Sequence, residues 1–414
     1  MKKSMKNYIL IFFDTILFAN AMVFLSINVV IPSFLTDLGS STFIIGLASA
    51  IVSIGTFVTQ PVFAQLAMNL PLKHKTFARI LITQRIIFIL YVIFIPFFTR
   101  ISFQTSIIAF LIFWGIFNMF VGSYSPFFMS IFSKIIDNDK RGRLVGYSGA
   151  IGDIIALGAA SLVGTFLKDF IFPYNYMWIF GIGTFLLLLD GILFLLVKEP
   201  PEPVEKGKIS YLQYIKAVPK AIKESPGFAR AVLGNSFIVV SNISLSYYTL
   251  YAIRNYQAGP TQIAAFTSIS VILNTLGNTV FGGLADRHGH RKVLKWAAIF
   301  GTIAMLVIVG IPGLYAVYIA FAFSTLCNSG YFISSGVNIV QNSPEGRVPI
   351  YISINTLITL VVSSLLTMLS GIVIDKFSFL PVFILTGISA ILGVILFSQN
   401  KWIGIRKKQF SKGQ

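Results

Sequence analysis

Four ionisable residues lie inside long apolar runs of this 414-residue sequence, where an unpaired charge is costly. They are Asp14, Arg85, Asp153 and Asp190. A buried carboxyl group can take up and release a proton, or it can bind a cationic group of a solute. We therefore expect each of the four residues to be paired or, for the acids, to hold a proton.

Uncharged polar residues form ordered stripes in two later apolar runs. In one run they recur at steps of three and four residues, which places them on one face of a helix: Ser324, Asn328, Tyr331, Ser335, Asn338 and Asn342. An earlier run carries a similar set: Asn235, Asn242, Ser246 and Thr249. Such stripes either join neighbouring helices by hydrogen bonds or line a water-filled path.

The composition places the elements that carry these residues in a membrane. Hydrophobic residues make up 56% of the chain and charged residues 11%, and the mean hydropathy is +0.82, whereas a soluble domain has roughly 25% charged residues. Twelve apolar runs are long enough to cross about 30 Å of hydrocarbon as helices. They cover approximately residues 8–31, 43–66, 77–98, 105–128, 144–167, 175–197, 229–253, 262–284, 293–312, 314–337, 350–372 and 379–399. We therefore predict an all-α integral membrane protein, because a membrane barrel would need shorter strands of alternating polarity.

The basic residues predict the orientation of the chain. The net charge is +18, but most Lys and Arg residues lie at the two termini and in the alternate loops that share their side of the membrane. Such a bias is typical of the cytoplasmic side. We therefore expect a multi-pass protein of the cell membrane with both termini in the cytoplasm. Its positive charge then serves topology and contact with the lipid bilayer, and we expect no binding to nucleic acid.

A charged loop, GGLADRHGHRK, joins the eighth and ninth apolar runs. Its glycines permit a tight reversal, and its acid and bases suit a membrane surface. The loop resembles the signature of the major facilitator superfamily, which it matches at Gly282, Asp286, Arg287, Gly289, Arg291 and Lys292. The resemblance implies a transporter fold of about twelve transmembrane helices in two pseudo-symmetric six-helix bundles.

The two halves of the sequence also repeat each other. Val62-Phe63-x-x-Leu66-Ala67 recurs 218 residues later as Val280-Phe281-x-x-Leu284-Ala285. Arg141-Gly142-Arg143 has a counterpart in Glu345-Gly346-Arg347, before the fifth span of each half. Such internal similarity is typical of transporters that arose by duplication. We expect an N-terminal bundle over residues 1–198, a cytoplasmic linker over 199–228 that can form an amphipathic helix, and a C-terminal bundle over 229–414.

The superfamily's plan implies a role for each candidate residue. Its first and fourth spans in each half line a central cavity, and its third and sixth spans lie outside. Arg85 and Asp190 are then expected to form a structural ion pair, which leaves Asp153 and Asp14 as candidates for proton coupling or substrate binding. The polar residues expected to line the substrate cavity are Asn235, Asn242, Ser324, Asn328, Tyr331, Ser335 and Asn338.

The resemblance also implies a gate at the charged loop. In the superfamily's closed cytoplasmic face, the acid equivalent to Asp286 approaches the start of the opposite half's fifth span. Here that span begins at Arg141-Gly142-Arg143. A carboxylate there would meet unpaired N–H groups, a positive helix dipole and the guanidinium groups of Arg141 and Arg143.

We therefore predict a secondary active transporter that moves a small polar or amphiphilic solute by alternating access, with proton coupling left open. The alternatives are a drug or amphiphile exporter of the same superfamily and a solute sensor that does not transport. Drug/proton antiporters of the superfamily carry a Gly-Pro pair in the fifth span, where this chain has Ala159-Ala160. All three histidines fall in predicted loops, so we expect no enzymatic activity, no metal site and no cofactor. We expect a monomer.

Overall fold

A computed structural model of the protein describes residues 5–201, 219, 221–344 and 348–399. Within these residues the chain is helical and contains no strand, which confirms the predicted all-α class. Twelve helical segments are long and apolar enough to span a membrane, as the sequence predicted. The second sequence motif, Glu345-Gly346-Arg347, and most of the predicted linker lie outside the described residues.

The first half of the chain supplies six spans, of which the first and the fourth are interrupted. Its helices are Met5–Phe24, Val30–Asp37, Thr42–Met68, His74–Ile101, Phe103–Val121, Tyr124–Ile135, Asn138–Asp169 and Tyr174–Leu196. The second half supplies the other six spans, of which the seventh is interrupted. Its helices are Pro226–Ser241, the short 3₁₀ turn Asn242–Ser244, Leu245–Tyr256, Pro260–His288, His290–Gly310, Leu314–Gln341, Val348–Lys376 and Leu380–Ser398.

The interruptions are the main difference from the predicted spans. A single apolar run gives no sign of a break, because hydropathy is the same on both sides of it. In the fourth span the break falls at Gly122, where a Cβ atom would lie 2.7 Å from the backbone nitrogen of Gln60. Close packing against the second span therefore requires glycine at this point.

The predicted internal repeat appears in the helix boundaries. The second span begins at Thr42 and the eighth at Pro260, which reproduces the sequence offset of 218 residues (260 minus 42). Between the halves, the second span packs against the eleventh and the fifth packs against the eighth. These two pairs of helices form the walls that connect the bundles.

The two ends of the molecule differ in how the halves meet. We call the face at which Met5 lies the terminal face, and the opposite face the distal face. The close contacts between the halves lie toward the distal face. A Cβ atom on Gly371 of the eleventh span would come within 2.7 Å of the Phe43 Cα atom, and one on Gly164 of the fifth span within 2.6 Å of the Ala264 Cβ atom. Small residues let the helix backbones approach closely, which is how helices associate in lipid without a hydrophobic driving force.

Candidate functional site

A central cavity lies between the two halves and has two neighbouring lobes. The larger lobe has a volume of about 450 Å³ and the smaller one about 260 Å³. Ile27 of the first span and Val52 of the second span border both lobes. The two lobes are lined by residues of both halves. Any solute bound there would therefore contact both bundles.

The larger lobe combines aromatic walls with a few polar groups. Its aromatic residues are Phe18, Trp114, Phe117, Phe120 and Tyr124. Its polar and charged residues include Asn28, Gln84, Arg85, Asn118, Asp153, Ser270 and Asn274. An apolar cavity with few polar groups is the usual form of a small-molecule site, in which the polar groups orient the ligand.

Asp153 is the acid that borders this lobe. It lies on the fifth span, is half-buried, and has the Thr275 hydroxyl of the eighth span within hydrogen-bonding reach. Thr275 belongs to the other half of the chain, and its hydroxyl also donates to the Val271 carbonyl at 2.8 Å. The Asp153 carboxyl therefore lies at the boundary between the bundles as well as at the cavity wall.

Arg85 and Asp190 form the expected ion pair, with 3.0 Å between Arg85 Nη2 and Asp190 Oδ2. Both side chains are buried, at 2% and 0% exposed. Arg85 also donates to Gln84 Oε1 at 2.6 Å and to the Leu187 carbonyl at 3.2 Å. Although its span was expected to lie outside the cavity, Arg85 borders the larger lobe.

Asp14 lies beside this ion pair. It is 1% exposed, and its carboxyl group is within hydrogen-bonding reach of the Asp190 carboxyl. From the sequence, Arg85 was expected to pair with Asp190. Asp14 and Asp153 were left as single acids. The structure instead brings Asp14, Arg85 and Asp190 together between the first, third and sixth spans and leaves Asp153 apart from them.

The polar stripes of the seventh and tenth spans divide into two groups. Asn242, Asn328 and Tyr331 border the smaller lobe, together with Ser246. The Ser246 hydroxyl also donates to Asn28 Oδ1 at 3.3 Å, across the boundary between the halves. These residues are available to a solute from the C-terminal half.

The remaining stripe residues bond to neighbouring helices or within their own helix and do not border either lobe. Asn235 donates to Asn355 Oδ1 at 3.1 Å and weakly, at 3.5 Å, to the Ser335 carbonyl. Ser324 donates to the Tyr248 hydroxyl at 3.3 Å. Asn338 is 1% exposed, and its carbonyl accepts from the Asn342 side chain at 2.8 Å. A stripe of helical period cannot distinguish these contacts from a cavity wall, because both need polar atoms on one face.

The charged loop makes a sharp turn at the terminal face. Gly289 has φ +86°, a left-handed value that favours glycine. Arg291 donates to the carbonyls of Phe397 and Gln399, so it caps the end of the twelfth span. The other matched residues contribute an open surface: Asp286, Arg287 and Lys292 are exposed and Gly282 is half-buried.

Arg141, one of the expected partners of Asp286, bonds elsewhere in this conformation. Arg141 donates to the carbonyls of Ser133 and Ile136, within its own half, at 2.5 and 3.2 Å. Arg143 is exposed. The terminal face therefore presents these charges to solvent, whereas the distal face is held by bonds between the halves.

Asp375 forms the centre of the distal contact. From the eleventh span it accepts hydrogen bonds from the backbone N–H groups of Thr42 and Phe43, at 2.9 and 3.0 Å, and so caps the second span. Arg254 lies 3.7 Å from Asp375 and donates to the Thr42 hydroxyl at 2.7 Å. Asn28 and Thr249 add a further bond between the halves, at 2.9 Å.

Glu199 organises the terminal face of the first half. It accepts hydrogen bonds from the backbone N–H groups of Lys73 and His74, at 2.6 and 2.8 Å, and pairs with Lys134 at 2.8 Å. Burial by itself raises the pKa of the Glu199 carboxyl. The hydrogen bonds from Lys134, His74 and Lys73 outweigh that effect and lower the pKa below its ordinary value of 4.5.

Sequence reasoning missed several residues of the cavity and of the distal contact. Gln84 and Asn274 border the larger lobe but belong to no periodic stripe. Arg254 and Asp375 lie near span ends, where a charge needs no special explanation. The contact that Arg254 and Asp375 form joins helices that are more than 100 positions apart in the sequence.

Comparisons with known proteins agree with this architecture. No curated protein is significantly similar to the chain in sequence. Solved structures with the same fold include a bacterial homologue of the iron transporter ferroportin in an inward-facing state (TM-score 0.71, 14% identity, covering 97% of this chain and 99% of that chain). They also include a mutant of the nucleoside transporter NupG (TM-score 0.68, 13% identity, 95% and 98% covered) and an auto-inhibited POT family peptide transporter (0.66, 13%, 99% and 97%).

The sequence itself identifies the family. The profile of the Major Facilitator Superfamily matches residues 14–253 and, a second time, residues 231–402. The two matches together cover nearly the whole chain and agree with the twelve spans, the repeated halves and the charged loop. The chain therefore belongs to the Major Facilitator Superfamily.

Proposed function

We propose that the protein is a secondary active transporter that moves a small polar or amphiphilic solute across the cell membrane by alternating access. The observation that carries this proposal is the two-lobed cavity between the halves, whose walls include Asp153 from one half and Asn328 from the other. A solute that binds both bundles can bias how they pack. Transport then follows when the halves alternate between separating at the terminal face and separating at the distal face.

The residues of the cavity indicate the solute class. Aromatic side chains such as Trp114 and Phe117 suit an apolar or planar part of a solute. Amides such as Asn118, Asn274 and Asn328 suit neutral donors and acceptors. A cavity of this size and mixture fits a small amphiphilic solute better than an ion alone.

Asp153 is the group that we propose for proton coupling. Its carboxyl borders the cavity and lies against Thr275 of the opposite half. An ionised carboxylate needs water or donors, so it favours a conformation in which the fifth and eighth spans let water reach it. A protonated carboxyl group is neutral, so it can stay in the contact between the fifth and eighth spans when water is excluded. Proton binding would thereby shift the equilibrium between the two conformations.

The terminal and distal faces act as the two gates of the transporter. With the termini in the cytoplasm, as the basic residues predict, the conformation described here is closed outside by Asp375, Thr42 and Arg254. Opening the outer face requires these bonds to break. The inner face would then close, with Asp286 approaching the first turn of the fifth span near Arg141.

The test begins with a solute. A thermal-shift screen of purified protein against sugars, amino acids, organic acids, nucleosides and amphiphilic cations identifies a binder, because a ligand at 100 times its Kd adds about 2.7 kcal/mol to stability. Uptake of that solute into proteoliposomes is then measured with and without an imposed proton gradient. We expect accumulation that responds to the gradient.

Asp153→Asn should abolish gradient-driven accumulation and spare solute exchange. Asp169→Asn is the matched control, because Asp169 lies on the same helix but is exposed at its distal end. Gradient-driven uptake that is unchanged in Asp153→Asn would exclude Asp153 as the coupling group. Exchange without any gradient response in the wild type would indicate facilitated diffusion, and binding without transport would indicate a sensor.

A further inference from the structure

Two acids meet in the dry interior of the N-terminal half. Asp14 of the first span and Asp190 of the sixth are 1% and 0% exposed, and their carboxyl groups lie within hydrogen-bonding reach of each other. The groups that face them are Arg85 of the third span and Tyr124 of the fourth. Asp153 of the fifth span borders the same lobe as Arg85 and Tyr124 but does not join this contact.

The hydrogen-bond donors around the two acids are too few for two carboxylates. Of its five N–H groups, Arg85 gives one to Asp190 Oδ2 and two others to Gln84 Oε1 and the Leu187 carbonyl. Asp190 Oδ1 and both oxygens of Asp14 are buried and accept no hydrogen bond from the described residues. A buried oxygen that lacks a donor carries the full cost of its desolvation.

The charge of the cluster leads to the same conclusion. Two carboxylates against one guanidinium would leave a net negative charge where water is excluded, and like charges this close repel strongly. A single proton removes both problems. It converts one acid into a donor for the other and leaves one carboxylate to balance Arg85, as in pairs of aspartates that share a proton.

We propose that Asp14 and Asp190 bind one proton between them, in a site that is separate from Asp153. Arg85 balances the remaining charge, and Arg85 and Tyr124 separate this site from the larger lobe, which both residues border. The proton would pass between this site and the larger lobe along the side chains of Arg85 and Tyr124. The proton site does not depend on solute transport, so it can be tested separately from the coupling role proposed for Asp153.

Infrared spectroscopy of the full-length protein in lipid nanodiscs tests the proposal. All samples carry Asp153→Asn, so that Asp153 cannot contribute. At neutral pH we expect a carbonyl band of a protonated carboxylic acid that shifts in D₂O. The band should be lost in Asp14→Asn and in Asp190→Asn, and kept in Asp169→Asn. A band that survives in Asp14→Asn, or one that is absent from the parent protein, would overturn the proposal.

Thermal stability supplies a second measurement that does not require every variant to fold well. Asp14→Asn replaces a neutral acid by a neutral amide, so its melting temperature should stay close to that of the parent. Arg85→Gln leaves a buried carboxylate without its partner and should be strongly destabilised. Arg85→Gln combined with Asp190→Asn should recover much of that loss, because Asp14 can then keep the proton. A double variant as unstable as Arg85→Gln alone would show that Asp14 is ionised and would overturn the shared proton.

Discussion

The carboxyl group of Asp375 accepts a hydrogen bond from the backbone N–H of Thr42 at 2.9 Å, although the two residues lie in opposite halves of the chain. Asp375 thereby caps a helix to which it does not belong. The first turn of a helix has unpaired N–H groups and a positive dipole, and a carboxylate satisfies both. The distal closure is thus a helix cap whose two parts separate when the halves move apart.

Removing this cap should favour the conformation that is open at the distal face. Loss of an N-cap costs about 0.5 to 2 kcal/mol, so Asp375→Ala should shift the conformational equilibrium by up to about 30-fold. Ser26 borders the larger lobe, and the measurement is labelling of Ser26→Cys by a membrane-impermeant thiol reagent added at the distal face. Cys327 is buried and is replaced by serine in all samples.

Lys376→Gln is the control for this prediction, because it removes the neighbouring charge from the same helix end. It should leave the labelling rate unchanged. Arg254→Gln should act in the same direction as Asp375→Ala but more weakly, because Arg254 lies 3.7 Å from Asp375 and is partly exposed. Equal labelling in Asp375→Ala and the parent would show that packing around Gly371, and not the cap, closes this face.

Asn328 and Asn338 should behave differently although both belong to the tenth-span stripe. Asn328 borders the smaller lobe, so Asn328→Ala should weaken solute binding by about 1 to 3 kcal/mol, or about 5- to 150-fold in Kd. Asn338 is 1% exposed, and its side-chain oxygen accepts from Asn342 Nδ2 at 3.4 Å, so Asn338→Ala should leave a buried gap, lower thermal stability and leave Kd unchanged. Isothermal titration with the solute found by screening measures the first effect, and thermal unfolding measures the second. Equal losses of affinity would mean that the whole stripe contacts the solute.

Glu199 should make the stability of the protein depend on acid pH. Its pKa is lowered in the folded state, because hydrogen bonds from Lys134, His74 and Lys73 outweigh the effect of burial. A carboxylate with a lowered pKa stabilises the folded state above its ordinary, unfolded value of 4.5. That stability is lost as the pH falls through the folded value.

Glu199→Gln should therefore lower stability by about 1 to 2 kcal/mol at pH 7, as expected for a shielded carboxylate at a helix N-terminus. Below about pH 4 the difference from the parent should shrink. Thermal unfolding between pH 3 and pH 7 measures it, over the range in which the protein stays soluble. Asp137→Asn breaks an exposed pair with Lys140 and should cost about 0 to 1 kcal/mol. A pH profile identical in parent and Glu199→Gln would contradict the prediction.

Asp286 should matter in the conformation that is closed at the terminal face. It is exposed here, and the fifth span that it is expected to cap begins at Asn138, with Arg141 in its first turn. Asp286→Asn should remove up to about 2 kcal/mol from that closed state. Val121 borders the larger lobe, so labelling of Val121→Cys from the terminal face should become faster. Asp169→Asn, at the distal face, should not change it, and slower transport with unchanged labelling would assign the loop to folding.

The amino-acid sequence by itself determined the membrane class, the twelve spans and the duplicated halves. These properties depend on runs of apolar residues and on residue identity, and both are local. Backbone groups in lipid have no partner except each other, so an apolar run of about 20 residues leaves little choice but a helix. The charged loop added the family, because its residue types and spacing are specific enough to be recognised.

The tertiary structure decided which polar residues work together. From the sequence, Arg85 was expected to pair with Asp190 while Asp14 stayed apart, and packing of the first, third and sixth spans brings all three into one buried cluster. It also separates Asn328, which borders the cavity, from Asn338, which is buried and borders neither lobe. A helical period fixes the face of a helix but not what that face meets. Which neighbour it meets depends on how the helices pack, and a single sequence does not display that packing.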